Sequence, residues 1–258
     1  MSKELPDVKV EIILPNYNSE NYLTETINSI INQTYKNWHL TIVDDNSNIE
    51  TQKILKKYID YPNIKIIWLK KNKKAGFCRN LAMRKSKLEY IAFIDSDDIW
   101  EKEKLFNQLD FMIKNKYYFT YTNFIAFNSE TENNLYEVKP KKYYNFNKFI
   151  KDTSIATIAT SAMIVKKSLI GTTKFSNTKI CEDYFFKCQI LKKVNYAYCL
   201  AENLMRYRIR KNSLQGNKIR NLYWIWYINK NYNKMNFIKN LLSIFSISFN
   251  SMKKYGFK

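Results

Sequence analysis

The sequence predicts an α/β protein built on a doubly wound sheet, with a basic, aromatic helical extension at its C-terminal end. Three observations lead there. Short apolar runs alternate with stretches of helical period through the first hundred residues, three of those runs end in polar clusters, and acidic residues cease after Glu202. With 258 residues and 45% hydrophobic content, the chain can bury a sizeable core.

The elements follow in order. Val10 to Leu14 is an apolar run closed by Pro15 and the turn-rich Asn16-Tyr17-Asn18-Ser19, as expected of a buried parallel strand. Tyr22, Ile27, Ile30 and Ile31 recur at helical spacing, with Ser19 or Asn21 available as a cap. His39 to Val43 predicts a second strand ending in Asp44-Asp45-Asn46-Ser47, and Thr51 to Tyr58 a second helix. Ile64 to Leu69 predicts a third strand, Arg79 to Lys85 falls in a helix, and Tyr90 to Ile94 predicts a fourth strand ending in Asp95-Ser96-Asp97-Asp98. This βαβαβαβ order implies right-handed crossovers. Beyond it, Leu105 to Asn115 reads as a helix, Tyr117 to Phe127 as a strand or strand pair, and Asn128 to Lys142 as a polar loop. Thr160 to Lys166 reads as a strand, Glu182 to Lys192 as a helix, Ala197 to Tyr207 as a strand region, and Ile219 to Met252 as helical.

Composition narrows the chemistry. The four glycines, Gly76, Gly171, Gly216 and Gly256, lie at least forty residues apart, which excludes a Walker A loop and a GxGxxG fingerprint. The four cysteines form no CxxC pair and His39 is the only histidine, so neither a zinc site nor a redox motif is expected. MSKELPDVKV lacks an h-region and no run of about twenty apolar residues occurs, so a signal peptide and a spanning helix are not expected either. The expected compartment is the cytoplasm, at or near the inner face of its membrane. Net charge is +20, and residues 203–258 hold twelve Lys or Arg and no acid. Part of that charge reflects heavy overall use of Lys.

Ligands bind open α/β sheets beyond the carboxyl ends of the strands. Three polar strand ends on one edge therefore point to a site. Asp95, Asp97 and Asp98 crowd negative charge that a cation would offset, and oxygen ligands without His or Cys suit Mg²⁺ or Mn²⁺. A metal there could hold a diphosphate, the role that the missing glycines leave vacant.

The runs VEIILPNYNSENYLTETINSIINQTYKNWHLTIVDDNSN, FCRNLA, IAFIDSDDIW and CEDYFF resemble a family 2 glycosyltransferase of the GT-A fold over roughly residues 8 to 212. The resemblance implies an inverting enzyme that takes a nucleotide-activated sugar, commonly a UDP-sugar. It places Pro15 and Tyr17 at the nucleobase and ribose, Asp45 as acceptor of the uracil N3–H, and Arg79 and Asn80 near the nucleotide. Asp95 and Asp97 match the DxD, with Asp97 the metal ligand and Asp95 facing the ribose. Glu182 and Asp183 match the pair that supplies the base, with Asp183 taking the proton and Glu182 orienting acceptor or sugar. Where many relatives carry His after the last core strand this chain has Arg210, which pairs with phosphate but cannot ligate metal. Lys73 and Lys74 stand where a glycine-rich approach is usual, either as phosphate charge or as a solvated basic loop.

The expected organisation is a catalytic domain over residues 1–212, with a nucleotide-sugar half at about 8–100 and an acceptor half at about 101–212, then a helical basic tail over 213–258. In that tail Phe237, Leu241, Phe245 and Phe249 repeat every four residues beside Ile238 and Leu242. Such a helix either lies in an anionic membrane interface or packs on the protein or a second subunit. Expected partners are a nucleotide-sugar donor and a glycan or lipid-linked acceptor, with no nucleic acid. A basic scaffold for membrane or nucleic acid, and an inactive transferase homologue, are the competing readings. The scaffold does not explain three polar strand ends together with Glu182 and Asp183, and retention of both Asp97 and Asp183 argues against an inactive homologue.

Overall fold

The computed structural model describes residues 8–128, 130–131, 133–152, 157–178, 180–210 and 218–255. In β1 (Val10–Asn16), Val10, Ile12 and Leu14 join one core cluster and Ile13 the other, so alternate residues are buried on opposite faces and the run is continuously apolar. β1 pairs in parallel with β2 (Trp38–Asp44) and β4 (Tyr90–Phe93), and β3 (Ile64–Trp68) pairs with β2. The crossovers are α1 (Leu23–Ile31), α2 (Ile49–Lys56) and α3 (Lys74–Lys85).

The sheet then becomes mixed. It adds β5 (Ile99–Trp100), β6 (Phe119–Asn128), β7 (Asn134–Val138), β8 (Tyr143–Tyr144), β9 (Ile164–Lys166) and β10 (Ala197–Ile209). The strand order is β3-β2-β1-β4-β9-β6-β10-β5, with β7 beside β6 and β8 beside β10. β9 runs antiparallel to β4 and β6, which joins the two halves of the sheet. One face carries α1, α2 and α4 (Lys104–Lys114). The other carries α3, α5 (Phe146–Asp152), α6 (Lys167–Ile170), α7 (Glu182–Leu191), α8 (Lys218–Asn231) and α9 (Phe237–Tyr255).

Several expectations need correction. Neither Ser19 nor Asn21 caps α1 with its side chain; the Ser19 carbonyl accepts the N–H of Tyr22 and Leu23, and its hydroxyl bonds Asn16. The polar stretch after Asn128 contains β7, an edge strand held by main-chain pairing while Leu135 and Tyr136 stay exposed. Thr160–Ala162 is a turn of 3-10 helix, so the strand expected from Thr160 begins at Ile164. Tyr117 to Phe127 yields one strand, and β5 went unforeseen because two residues carry no periodicity.

The tail forms two helices. Asn236 caps α9 by accepting the Lys239 N–H. Ile225, Ile228 and Ile247 are buried in the core beneath them. The contact is also polar: Tyr184 donates to Asn229, and Ser243 donates to the Ile150 carbonyl. The boundary expected at 212/213 lies outside the described residues. No helix among the described residues is long and apolar enough to cross a membrane.

One core residue breaks the apolar pattern. Lys104 is fully buried, its Nζ 2.5 Å from Gln108 Oε1 and 4.6 Å from the centre of the Trp100 ring. Burial pushes it from the usual 10.5 down to about 7. Between those two values the unfolded chain binds more protons than the folded one, so this group makes stability rise with pH. Lys104→Met should therefore raise the thermal midpoint near pH 7, with the gain shrinking toward pH 10, as measured by scanning fluorimetry across pH.

Candidate active site

The carboxyl ends of β1, β2 and β4 converge, and each polar cluster there has a local cause. Asn16 donates to Asp44 Oδ1 at 2.8 Å, and Asp44 Oδ2 accepts the Ser47 N–H at 3.1 Å. Asp44 is thus spent on holding the turn after β2. Asp45 turns the other way and accepts the N–H groups of Lys73 and Lys74, at 2.6 and 2.8 Å. It anchors the β3–α3 connection, where Lys74 has φ 72°, and still borders the cavity with unused lone pairs.

Arg79 on α3 is the hub. It is 4% exposed, and its Nη2 lies 2.5 Å from Asp95 Oδ1 while Nη1 lies 3.0 Å from Glu182 Oε1. Its guanidinium sits 5.1 Å from the centre of the Phe175 ring. Asn80 fastens the same segment, its amide donating to the Phe175 carbonyl at 2.9 Å and accepting the Phe175 N–H at 2.8 Å. Gly76 makes room for this arrangement. A Cβ there would lie 3.0 Å from Glu182 Cγ and 3.1 Å from the Ser176 carbonyl.

The Asp95–Asp98 turn is held from below. Ser161 Oγ accepts the Asp95 N–H at 3.0 Å and donates to Asp98 at 2.5 Å. Arg208 on β10 donates its N–H to Asp98 and its Nε to the Asp97 carbonyl, and pairs with Glu25 on α1. Burial, with Asp97 and Asp95 nearby, pushes Asp98 well above the usual carboxylate range. Asp97 is raised as well, by burial and Asp95 against the pull of Arg210, whose Nη2 is 2.9 Å from Asp97 Oδ2.

Across the cavity, Glu182 and Asp183 open α7 after Cys181, which takes a left-handed φ of 61°. Asp183 Oδ2 lies 2.7 Å from buried Lys187 Nζ, one helical turn on, and 3.4 Å from Thr160 Oγ1. Their carboxyls diverge. Burial raises Glu182 despite Arg79 and adds to the effect of neighbouring Asp183. Burial acts upward on Asp183 too, but Lys187 and Arg79 hold it below its ordinary value.

The cavity measures about 1200 Å³, and Pro15, Tyr17, Asp45, Arg79, Asp95, Asp97, Glu182, Asp183 and Arg210 all border it. Asn80 does not; its amide is engaged with Phe175. Lys73 and Lys74 border it with exposed side chains. Sequence reasoning missed Arg208, Ser161 and Lys187. Only the i, i+4 spacing of Asp183 and Lys187 was there to be read. It also missed Asn72, which borders the cavity with a buried Oδ1 lacking a partner among the described residues.

The family model described as Glycosyl transferase family 2 matches residues 11–172. The chain belongs to that family. It is 28% identical over 247 residues to the Bacillus subtilis (strain 168) protein named putative teichuronic acid biosynthesis glycosyltransferase TuaG, covering 95% of this chain and 96% of that one. It is 31% identical over 223 residues to Escherichia coli UDP-Glc:alpha-D-GlcNAc-diphosphoundecaprenol beta-1,3-glucosyltransferase WfgD, covering 86% and 85% respectively. Among solved structures, S. aureus TarS 1-349 in complex with UDP-GlcNAc superposes with a TM-score of 0.73 at 21% identity, over 96% of this chain and 72% of that one. The fold is thus GT-A, and this protein is a family 2 glycosyltransferase.

Two outcomes follow for the transferase. Gly76→Ala pushes on Glu182, so kcat/KM should fall on the order of 10- to 100-fold while helix propensity keeps the fold intact, checked by steady-state rates beside thermal melts. With Asp183 as the proposed base, Lys187→Gln, which removes the charge that lowers it most strongly, should move the acid limb of the pH–rate profile to higher pH.

Proposed function

We propose that the protein transfers a hexosyl or N-acetylhexosaminyl group from a UDP-sugar to a lipid-linked glycan acceptor, inverting the anomeric centre, in surface polysaccharide or lipooligosaccharide synthesis. One observation carries this reading: the acids that open α7 and the acids that follow β4 border one cavity, and Glu182 and Asp95 share Arg79 as counter-ion. The printed names of relatives support the substrate class, since WfgD is named for a UDP-Glc donor and a diphosphoundecaprenol acceptor and TarS was solved with UDP-GlcNAc.

In this reading Asp183 accepts the proton of the acceptor hydroxyl as that oxygen attacks the anomeric carbon. The bond to the diphosphate breaks and its electrons leave with UDP. Lys187 and Thr160 fix the Asp183 carboxylate, and Glu182, held by Arg79, orients the sugar or acceptor. Pro15, Tyr17 and Asp45 receive the nucleoside, Asn72 offers it an unpaired acceptor, and Asp95 faces the ribose. Arg79 acts through Asp95 and Glu182, and Asn80 through Phe175. Arg210 meets the diphosphate.

Among the described residues no group of three or more His, Cys, Asp or Glu is placed to hold a metal. The residues do fit a cation held by one protein carboxylate. Asp97 borders the cavity and pairs there with the half-exposed Arg210, whereas Asp98 is bonded to Ser161 and Asp95 to buried Arg79. Asp97 would thus hold Mg²⁺ or Mn²⁺ together with the donor's diphosphate and water. The bound cation would stabilise negative charge on the departing diphosphate.

The test is UDP release from a panel of UDP-sugars. Wild type should turn over with Mn²⁺ and lose activity with EDTA, and Asp97→Ala and Asp183→Asn should each lose roughly 10²- to 10⁴-fold. Turnover that survives both substitutions overturns the assignment.

A further inference from the structure

We propose that α9 docks the enzyme on an anionic phospholipid bilayer, its apolar arc entering the interface while its C-terminal turns border the catalytic cavity. The outward side of this helix is apolar. Phe237, Ile238, Leu241, Leu242, Phe245 and Phe249 are 51–71% exposed, and at 100° per residue they fall within an arc of about 140°. On the opposite arc Asn240 and Ser243 are buried, bonded to the carbonyls of Trp226 and Ile150. A helix docked only on its own domain turns its apolar face inward. Here Asn240 and Ser243 hold the helix to the domain together with buried Ile247, while six large apolar side chains face outward, as a surface that meets an apolar partner.

Charge selects the partner. Residues 211–258 contain nine Lys or Arg and no acid, and Lys234 just before α9 and Lys239 in its first turn are exposed. A second copy would bring like charge to like charge. Anionic headgroups complement it, and the apolar arc then lies in the interfacial zone. Docking at the surface also agrees with the lack of a spanning helix among the described residues.

The same helix reaches the active site. Ile247, Ser248, Ser251 and Met252 border the cavity, and Met252, 41% exposed, falls within the apolar arc. Docking through α9 therefore brings the cavity to the bilayer surface. That lipid-linked acceptors enter there rests on the proposed function; the docking itself does not.

The test is co-sedimentation of the full chain with vesicles. Wild type should bind phosphatidylglycerol-containing vesicles at least ~10-fold more than pure phosphatidylcholine, and less as salt rises. The double variant Leu241→Glu, Phe245→Glu should lose that binding yet keep its circular dichroism and UDP release, since neither residue borders the cavity. Vesicle binding without UDP release leaves docking standing and rejects the donor reading. Equal binding of wild type and variant overturns the proposal, as does a dimer that the variant dissociates while neither form binds vesicles.

Discussion

A buried guanidinium holds the two sides of the site together. Arg79 reaches Asp95 after β4 and Glu182 at the start of α7, residues that lie 16 and 103 positions away in the chain. Removing three charges from water is costly, and such a cluster is tolerated only when its partners are well placed. Its neighbours are arranged around that requirement. Phe175 covers the guanidinium, Asn80 fixes Phe175, Gly76 leaves space for the Glu182 side chain, and Cys181 accepts a left-handed backbone so that α7 begins there. Of the residues that a motif reading assigns to the nucleotide, Arg79 is thus occupied in holding two carboxylates and Asn80 in holding Phe175.

The same charges separate two adjacent acids. Glu182 shares Arg79 with Asp95 and stays desolvated, whereas Asp183 has Lys187 to itself at 2.7 Å. One carboxyl is raised and the other lowered although they are consecutive in sequence. Environments that push neighbouring carboxyls apart give them separate tasks. As the proposed base, an ionised Asp183 would be available to accept a proton over a wide pH range, while its pairing with Lys187 lowers its basicity. In that reaction, position close to the acceptor would matter more than intrinsic base strength.

How much was legible in the sequence follows from the range of each interaction. β1 to β4 and their helices could be read because burial on two faces imposes long apolar runs and helical period. β5 and β7 could not, since one has two residues and the other is an exposed edge held through its backbone. The acids after β4 were visible as a cluster, but their supports were not: Ser161 and Arg208 arrive from 63 and 110 residues beyond Asp98. The tail showed its apolar repeat, yet only the fold reveals that the repeat faces outward and that Asn240 and Ser243 face in.

Glycine scarcity acquires a structural meaning in the same terms. In a glycine-rich phosphate loop the backbone N–H groups stay free and point at the ligand. Here the N–H groups of Lys73 and Lys74, at the corresponding connection between strand and helix, are both bonded to the Asp45 carboxylate. The loop is ordered by a side chain, and its donors are already used. A diphosphate in this cavity would therefore meet cationic side chains, Arg210 at the end of β10 and the exposed Lys73 and Lys74, together with any cation held by Asp97. Because Arg210 and Asp97 pair at 2.9 Å, binding of the diphosphate must compete with that contact. A cation that took over Asp97 would release Arg210 to the phosphate, so metal and donor would bind with positive coupling.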